Sequence, residues 1–462
     1  MKLQDTIVAS ATGNIVSALG IIRMSGREAL NIISKVFVPI SNKNFLDIAR
    51  AGRLYYGKLM NNDNILDECV VSLFKSPHSF TGEDIVEISH HGSTYIQQEI
   101  LQILINNGAR LADKGEFSLR AFLNGKMNLS QTEAIADLIA SNSSTSHDLA
   151  IKQLRGEYNQ ELKNLRHRFI KIASLLELEI DFSAEQEVFV DKKELQDELN
   201  EAIQEISQLV NSFKQGNALK KGIPVAIVGK PNSGKSTLMN ALLKDDRSIV
   251  SSIEGTTRDT IEESISIDGL SIRFIDTAGI RESDNEIEKE GIKRSFEAIK
   301  KAQVVLYMID ASLEDMESIN YQLAFLKQEV DLSDKYQILI VNKEDISTLK
   351  AKDKKKLVDM GAIFISAKGQ KGIDKVLKAI TENFDNKDIA QRIFVTNIRH
   401  YEALSNALVC VEDAQQNLIN GQSADIISYD IRQATEYIGN ITGEITSEDI
   451  LTGIFSSFCI GK

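Results

Sequence analysis

At 462 residues the chain is too long for one hydrophobic core, so roughly two to four domains are expected. An apolar fraction of 42% with 26% charged residues reads as an ordinary globular protein, and no apolar run approaches the roughly eighteen residues of a membrane helix. A net charge of −13 weighs against generic polyanion binding, because affinity for nucleic acid comes largely from Lys and Arg neutralising phosphates.

Cys69, Cys410 and Cys459 are scattered, without a CxxC pair or a nearby His spacing, which argues against a disulfide framework and a zinc site. The first ten residues lack the h-region of a signal peptide and the Arg-rich pattern of a transit peptide. A cytoplasmic protein is expected, with no membrane association.

Residues 1–120 alternate β-like runs (Gly20 to Met24, Cys69 to Phe74, Ile85 to Ser89) with helical ones and turn signals such as Ser76-Pro77-His78, which predicts a mixed α/β domain. Across 121–216 the period turns helical. Leu162, Leu165, Phe169, Ile172, Leu176 and Ile180 step by three and four, as do Leu195, Leu199, Ala202, Ile206, Leu209 and Phe213, the pattern of bundle core.

Residues 217–380 then show short apolar strands between helices: Val225 to Val228, Ile272 to Ile275, Val304 to Ile309, Ile338 to Val341 and Ile363 to Ile365, the pattern of a doubly wound parallel sheet. Helical spacing returns over 381–462, with Leu404, Leu408, Val411, Ala414 and Leu418, then Ile427, Ile431, Ala434 and Ile438. One helical domain with an inserted α/β domain is the simplest reading, since domain ends usually lie close together.

Gly229-Lys-Pro-Asn-Ser-Gly234-Lys235-Ser236 follows the first of those strands and opens a helical run at Thr237, the context a phosphate-binding loop requires. Backbone N–H groups from Asn232, Ser233 and Gly234 onward would face the β-phosphate at a helix N-terminus. Lys235 would reach the β- and γ-phosphates, and Ser236 would ligate Mg²⁺.

Asp276-Thr277-Ala278-Gly279 ends the next strand, where an acid can hold Mg²⁺ through water and Gly279 can bond the γ-phosphate. Asn342-Lys343-Glu344-Asp345 follows a later strand. The Asp345 carboxylate can accept both N1–H and N2–H of guanine, which adenine does not offer. Ser366-Ala367-Lys368 can add a backbone N–H to guanine O6. Between phosphate loop and Asp276, the stretch Ser251-Ser252-Ile253-Glu254-Gly255-Thr256-Thr257 is placed as a nucleotide-binding switch, with Thr257 the second Mg²⁺ ligand. GTP is therefore the expected substrate. No water-orienting glutamine follows Gly279, because Ile280 stands there.

With these motifs in this order, the sequence resembles the MnmE (TrmE) family of tRNA-modifying GTPases essentially end to end. The resemblance is carried also by Asp5-Thr-Ile-Val, Gly20-Ile-Ile-Arg-Met-Ser-Gly26, Ser79-Phe-Thr-Gly-Glu-Asp84, Arg120-Ala-Phe-Leu-Asn124, Gly255-Thr-Thr-Arg-Asp259 and the tail Cys459-Ile-Gly-Lys462. It implies an N-terminal domain that forms a homodimer and binds 5,10-methylene- or 5-formyl-tetrahydrofolate through Arg23, Glu87, Lys126 and Lys462. It implies an inserted Ras-like GTPase domain and a separate FAD-containing partner, MnmG, in a heterotetramer that places an aminomethyl or carboxymethylaminomethyl group on C5 of the wobble uridine of tRNA.

The resemblance also implies a K⁺ held by Asn232, Ser251, Ile253 and Thr256 in paired GTPase domains, Glu288 orienting the attacking water, and a role for Cys459 in the tail. Against the last stands a small apolar residue simply packed. One departure is visible: where the family carries a Pro-Pro then Gly-rich loop, this chain has Thr12-Gly-Asn-Ile-Val-Ser-Ala-Leu-Gly20. The alternative reading is a regulatory GTPase switch acting on ribosome or RNA assembly. The acidic balance and the lack of a basic appendage after the GTPase domain disfavour it.

Overall fold

The computed structural model describes residues 5–182, 192–244, 249–250, 263–275, 296–329, 331–384, 392–444, 448–456, 458 and 460–461. They fall into two compact units, Met1–Ala136 with Leu154–Leu162 and Thr435–Lys462, and Asp137–Gln153 with Lys163–Ala434.

The first unit is built on a seven-stranded sheet. Its strands are β1 (Ile7–Ser10), β2 (Leu19–Ser25), β3 (Phe37–Pro39), β4 (Leu54–Asn61), β5 (Asn64–Phe74), β6 (Ile85–His91) and β7 (Arg110–Leu111), in the order β3-β4-β5-β6-β2-β1-β7. All pairs are antiparallel except β1 with β7. Side chains alternate between faces along each strand. One face (Val8, Ile22, Met24, Val71, Leu73, Val86, Ile88) is buried beneath Ile32 and Ile33 of helix Ala29–Val36 and Ile100 and Leu104 of helix Thr94–Asn106. The opposite face carries Arg23, Ser72 and Glu87 together with the exposed apolar Leu19, Leu54 and Tyr56. Cys69 lies on the buried face, and burial pushes its thiol up to about 12. The chain's last residues return to this unit: Ile460 bridges to Lys114, and Gly461 packs so tightly against Ser10 that a Cβ there would overlap the Ser10 carbonyl.

The predicted helical stripes form helices Glu157–Phe182, Lys192–Lys221, Ile398–Ile419 and Ala424–Thr442, most of whose residues belong to the second unit. Phe169, Ile172, Leu199, Ile206, Leu404, Val411, Ile427 and Ile431 are buried as expected. Helix Lys192–Lys221 packs on Ile398–Ile419, with the Phe213 and Tyr401 rings stacked 4.5 Å apart. The Val395 amide donates to Ser212 Oγ at 3.0 Å, so the chain leaves the inserted domain alongside the helix by which it enters. The insertion read from the sequence agrees with this.

The inserted sheet comprises β8 (Ile223–Gly229), β9 (Ile249–Val250), β10 (Glu263–Ile267), β11 (Leu270–Phe274), β12 (Val304–Asp310), β13 (Tyr336–Asn342) and β14 (Ile363–Phe364), ordered β14-β13-β12-β8-β11-β10-β9. Five strands are parallel as expected. β10 departs from that expectation: it runs against the others and pairs antiparallel with both β11 and β9. The cause is a two-residue turn at Asp268-Gly269, both with positive φ (50° and 82°), which makes β10–β11 a hairpin rather than a crossover. All seven residues of β12 are buried, as a strand covered on both faces must be. One face packs on helices Lys235–Leu243 and Ile373–Glu382, the other on Met316–Glu329 and Ala351–Asp359. Among the described residues no helix is long and apolar enough to cross a membrane.

Candidate functional site

The phosphate loop runs from the end of β8 into helix Lys235–Leu243. Gly234 has φ +99°, and a Cβ on it would overlap the Asn342 amide nitrogen, so only glycine lets the loop close against the end of β13. Asn232 stands exposed at φ +63°. The Lys235 ammonium donates to the Gly229 and Lys230 carbonyls, both at 2.9 Å, which holds it over the loop. Ser233 Oγ is buried with no hydrogen-bond partner among the described residues. An orphaned buried hydroxyl in a loop whose amides open a helix fits a phosphate-bearing ligand. Ser236 and Thr237 are exposed in the first turn of that helix.

Asn342 joins three loops. It is 2% exposed, its Nδ2 donates to the Ser233 carbonyl at 2.8 Å, and its Oδ1 accepts from the Ala367 amide at 3.0 Å. The Glu344 amide donates to the Ile365 carbonyl at 3.1 Å, closing the loop after β13 on the Ser366 turn. The Ser366 hydroxyl hydrogen-bonds Asp345 and, ahead of the fields of Lys368 and Lys371, holds this exposed carboxyl below its ordinary value. Asn232, Ser233, Lys235, Asn342, Lys343, Asp345, Ser366 and Ala367 thus lie on loops at the carboxyl ends of β8, β13 and β14, where doubly wound sheets bind ligands. Ser251 to Thr257, Asp276 to Gly279 and Glu288 lie outside the described residues.

Sequence reasoning missed two acids, Asp310 at the end of β12 and Glu314 on the loop that follows. Asp310 pairs with Lys343 at 2.6 Å. Glu314, 6% exposed, accepts from the Lys230 ammonium at 3.3 Å and from Ser318 Oγ and Gln322. Tyr307 donates to Gln322 at 3.0 Å, and burial followed by the Glu314 charge pushes its phenol up. A buried acid at the end of an apolar strand was the available signal, because such a charge must be paired.

On the N-terminal sheet Arg23 and Glu87 stand opposite each other in the β2–β6 register and pair at 2.7 Å, with the guanidinium 5.5 Å from the Phe80 ring centre and 5.9 Å from that of Phe117. Lys126 donates to the Pro77 carbonyl at 2.9 Å, and its stem lies along Gly82. Arg23 and Glu87 are therefore brought together, while Lys126 is tied to the neighbouring 77–82 loop. Lys462 and Cys459 lie outside the described residues.

Beneath this face is a cluster the sequence did not reveal as such. Arg120, 1% exposed, bonds Asp5 Oδ1 at 2.7 Å, the Asp5 carbonyl at 2.8 Å, Glu116 at 2.9 Å and Glu83 at 3.2 Å. Arg110 adds bonds of 2.6 Å to both Asp5 and Glu116. Burial raises the Asp5 and Glu116 pKa values, but the bonds from Arg110 and Arg120 outweigh it and hold both low.

A family model described as MnmE helical domain matches residues 129–459, and one described as GTP-binding protein TrmE N-terminus matches 6–126. The tRNA modification GTPase MnmE of Bacteroides thetaiotaomicron is 45% identical over 470 residues, covering 99% of this chain and 100% of that protein. That of Parabacteroides distasonis is 46% identical over 465 residues, with 99% and 100% covered. Among solved structures, Era in complex with MgGDPNP and nucleotides of 16S ribosomal RNA is 27% identical, covering 40% of this chain and 65% of that one, with a TM-score of 0.26. The chain belongs to the family of tRNA modification GTPases MnmE.

Proposed function

We propose that this GTP hydrolase, acting in the cytoplasm, modifies C5 of the wobble uridine of tRNA with an FAD-containing partner, taking its one-carbon unit from a reduced folate held on the N-terminal sheet. The working division is 1–120 for folate binding and pairing, 217–380 for GTP, and 121–216 with 381–462 for the helical domain. The observation that carries the folate reading is the convergence of Arg23, Glu87 and the chain's tail: Ala9 is the register partner of Arg23 on β1, and Gly461 packs on the adjoining Ser10. Arg23 suits a glutamyl carboxylate and Glu87 the donor edge of a pterin. Lys126 and Lys462 are the further folate contacts, and the exposed Leu19, Leu54 and Tyr56 support a homodimer through this domain. In cells whose only copy carries Arg23→Ala, mass spectrometry of bulk tRNA should show the C5-substituted wobble uridine reduced at least about tenfold, while GTP turnover of the purified protein stays unchanged. Normal modification in that strain would remove the folate site from this face.

For the GTP site, Ser236 with Thr257, and Asp276 through water, would hold Mg²⁺, which neutralises phosphate charge. K⁺ would be held by Asn232, whose left-handed backbone sets it at the exposed crest of the phosphate loop, with Ser251, Ile253 and Thr256; it supplies positive charge where other GTPases use arginine. Glu288 would orient water and Cys459 serve in the modification step. Replacing K⁺ by Na⁺ should lower kcat for GTP about tenfold, and Asn232→Ala should remove that difference. Equal rates in the two salts, at concentrations where GTPase domains pair, would sink the K⁺ site.

A further inference from the structure

Asp310 closes β12 and is 3% exposed. One oxygen accepts from the Ser312 amide at 2.9 Å and the Ser312 hydroxyl at 2.6 Å, and the other meets the Lys343 ammonium at 2.6 Å. Burial disfavours the charged form, yet Lys343 and Ser312 outweigh it and keep the carboxyl ionised. An asparagine would satisfy Ser312 equally well, so Lys343 is what the negative charge serves. Buried carboxylates are costly unless paired, which makes the neck of the base loop an uneconomical place for one without a task. Lys343 stands between Asn342, locked among three loops, and Asp345, and its own backbone is fixed at φ +62°. What the backbone leaves undetermined is the course of its long stem, since an unpaired lysine samples many rotamers.

We propose that Asp310 is a positioning residue of the guanine site: by anchoring the Lys343 ammonium it fixes the lysine's methylene stem as a wall beside the base whose edge Asp345 reads. Asp310 acts through Lys343 and does not touch the nucleotide. The inference rests on the reading that the loop 342–345 binds guanine.

A double-mutant cycle on the full chain tests it, with dissociation constants measured by equilibrium binding. Asp310→Asn should weaken GDP about tenfold, the scale of one lost charge-assisted bond, and should weaken inosine diphosphate equally, because a stem wall does not sense the 2-amino group. Lys343→Met, which keeps the stem and loses the anchor, should match it. In a Lys343→Ala background, where the wall is gone, Asp310→Asn should cost nothing further. General loosening of β12 would instead weaken binding equally in both backgrounds, and that additive result overturns the proposal, as does wild-type affinity in Asp310→Asn. Should Asp310→Asn fail to fold, wild-type affinity in Lys343→Met overturns it alone. Asp345→Asn assayed in parallel separates the two levels: retained guanine preference there refutes the base-loop reading itself, whereas a switched preference with an additive cycle refutes only the role of Asp310.

Discussion

Asp345→Asn should weaken GTP binding at least about a hundredfold and turn the preference toward xanthosine nucleotides. The carboxylate is an acceptor only, and guanine presents two adjacent donors, N1–H and N2–H, so both bonds are charge-assisted and both vanish together. The amide places a donor where one acceptor stood, which suits the O2 of xanthine and faces guanine's N2–H with another N–H. The site is arranged to hold the ionised form: Ser366 donates to Asp345, and Lys368 and Lys371 stand near. The loop should survive the change, because its frame is Asn342 bonded to Ser233 and Ala367, and the Glu344 amide bonded to Ile365. Affinities for GTP and XTP measured side by side decide it. A loss of less than tenfold for GTP would mean that Asp345 does not read the base.

Arg120→Ala should destabilise the N-terminal unit by about 3 to 5 kcal/mol, because it strands carboxylates that were buried only on condition of being paired. Glu116, 3% exposed, would keep only Arg110 and the Asp113 amide, and Glu83 would lose its guanidinium and keep the Ser25 hydroxyl at 2.7 Å. The pH dependence has a definite sign. Asp5 and Glu116 have folded pKa values below their ordinary 3.8 and 4.5, so their contribution is complete above those values and is lost as pH falls through the lowered ones. In the variant the stranded carboxyls titrate higher and are relieved by protonation. The stability gap between wild type and variant should therefore be largest near neutrality and narrow towards pH 4. Hydrogen exchange of the β1 and β2 amides reports this unit directly. A gap that is small at pH 7, or that widens on acidification, would show that the cluster is not what holds Arg120 inside.

The parts of the fold that the sequence announced are those where one local pattern decides the structure. β8, β12 and β13 carry continuous apolar runs (225–228, 304–309 and 338–341) because helices cover both faces, and the bundle helices repeat at three and four. The phosphate loop was legible because its glycines have a geometric task. β1, β3, β4 and β7 went unread: they are short or half-exposed, and pairing with distant partners rather than local pattern makes them strands. The β10–β11 hairpin carried a readable sign in Asp268-Gly269, which the expectation of parallel strands obscured. Arg120-Ala-Phe-Leu-Asn124 was visible as a family motif, but its physical reason lies in carboxylates 115, 37 and 4 positions away, which no local window brings together. Asp310 and Lys343, 33 positions apart, were hidden in the same way.

The packing of Gly461 on Ser10 bears on the order in which the protein can assemble at the ribosome. Residues 154–162 and 435–462 belong with the N-terminal sheet, and everything between 163 and 434 is made in the interval. At ordinary elongation rates that interval lasts on the order of tens of seconds, during which the first sheet waits, with Ser10 uncovered, for the segment that carries Gly461. The inserted sheet, from Ile223 to Phe364, is contiguous and needs nothing that comes later to complete its strands. A nascent chain can thus hold a finished phosphate loop, already able to capture guanine nucleotide, while the oldest part of the polypeptide is still unfinished.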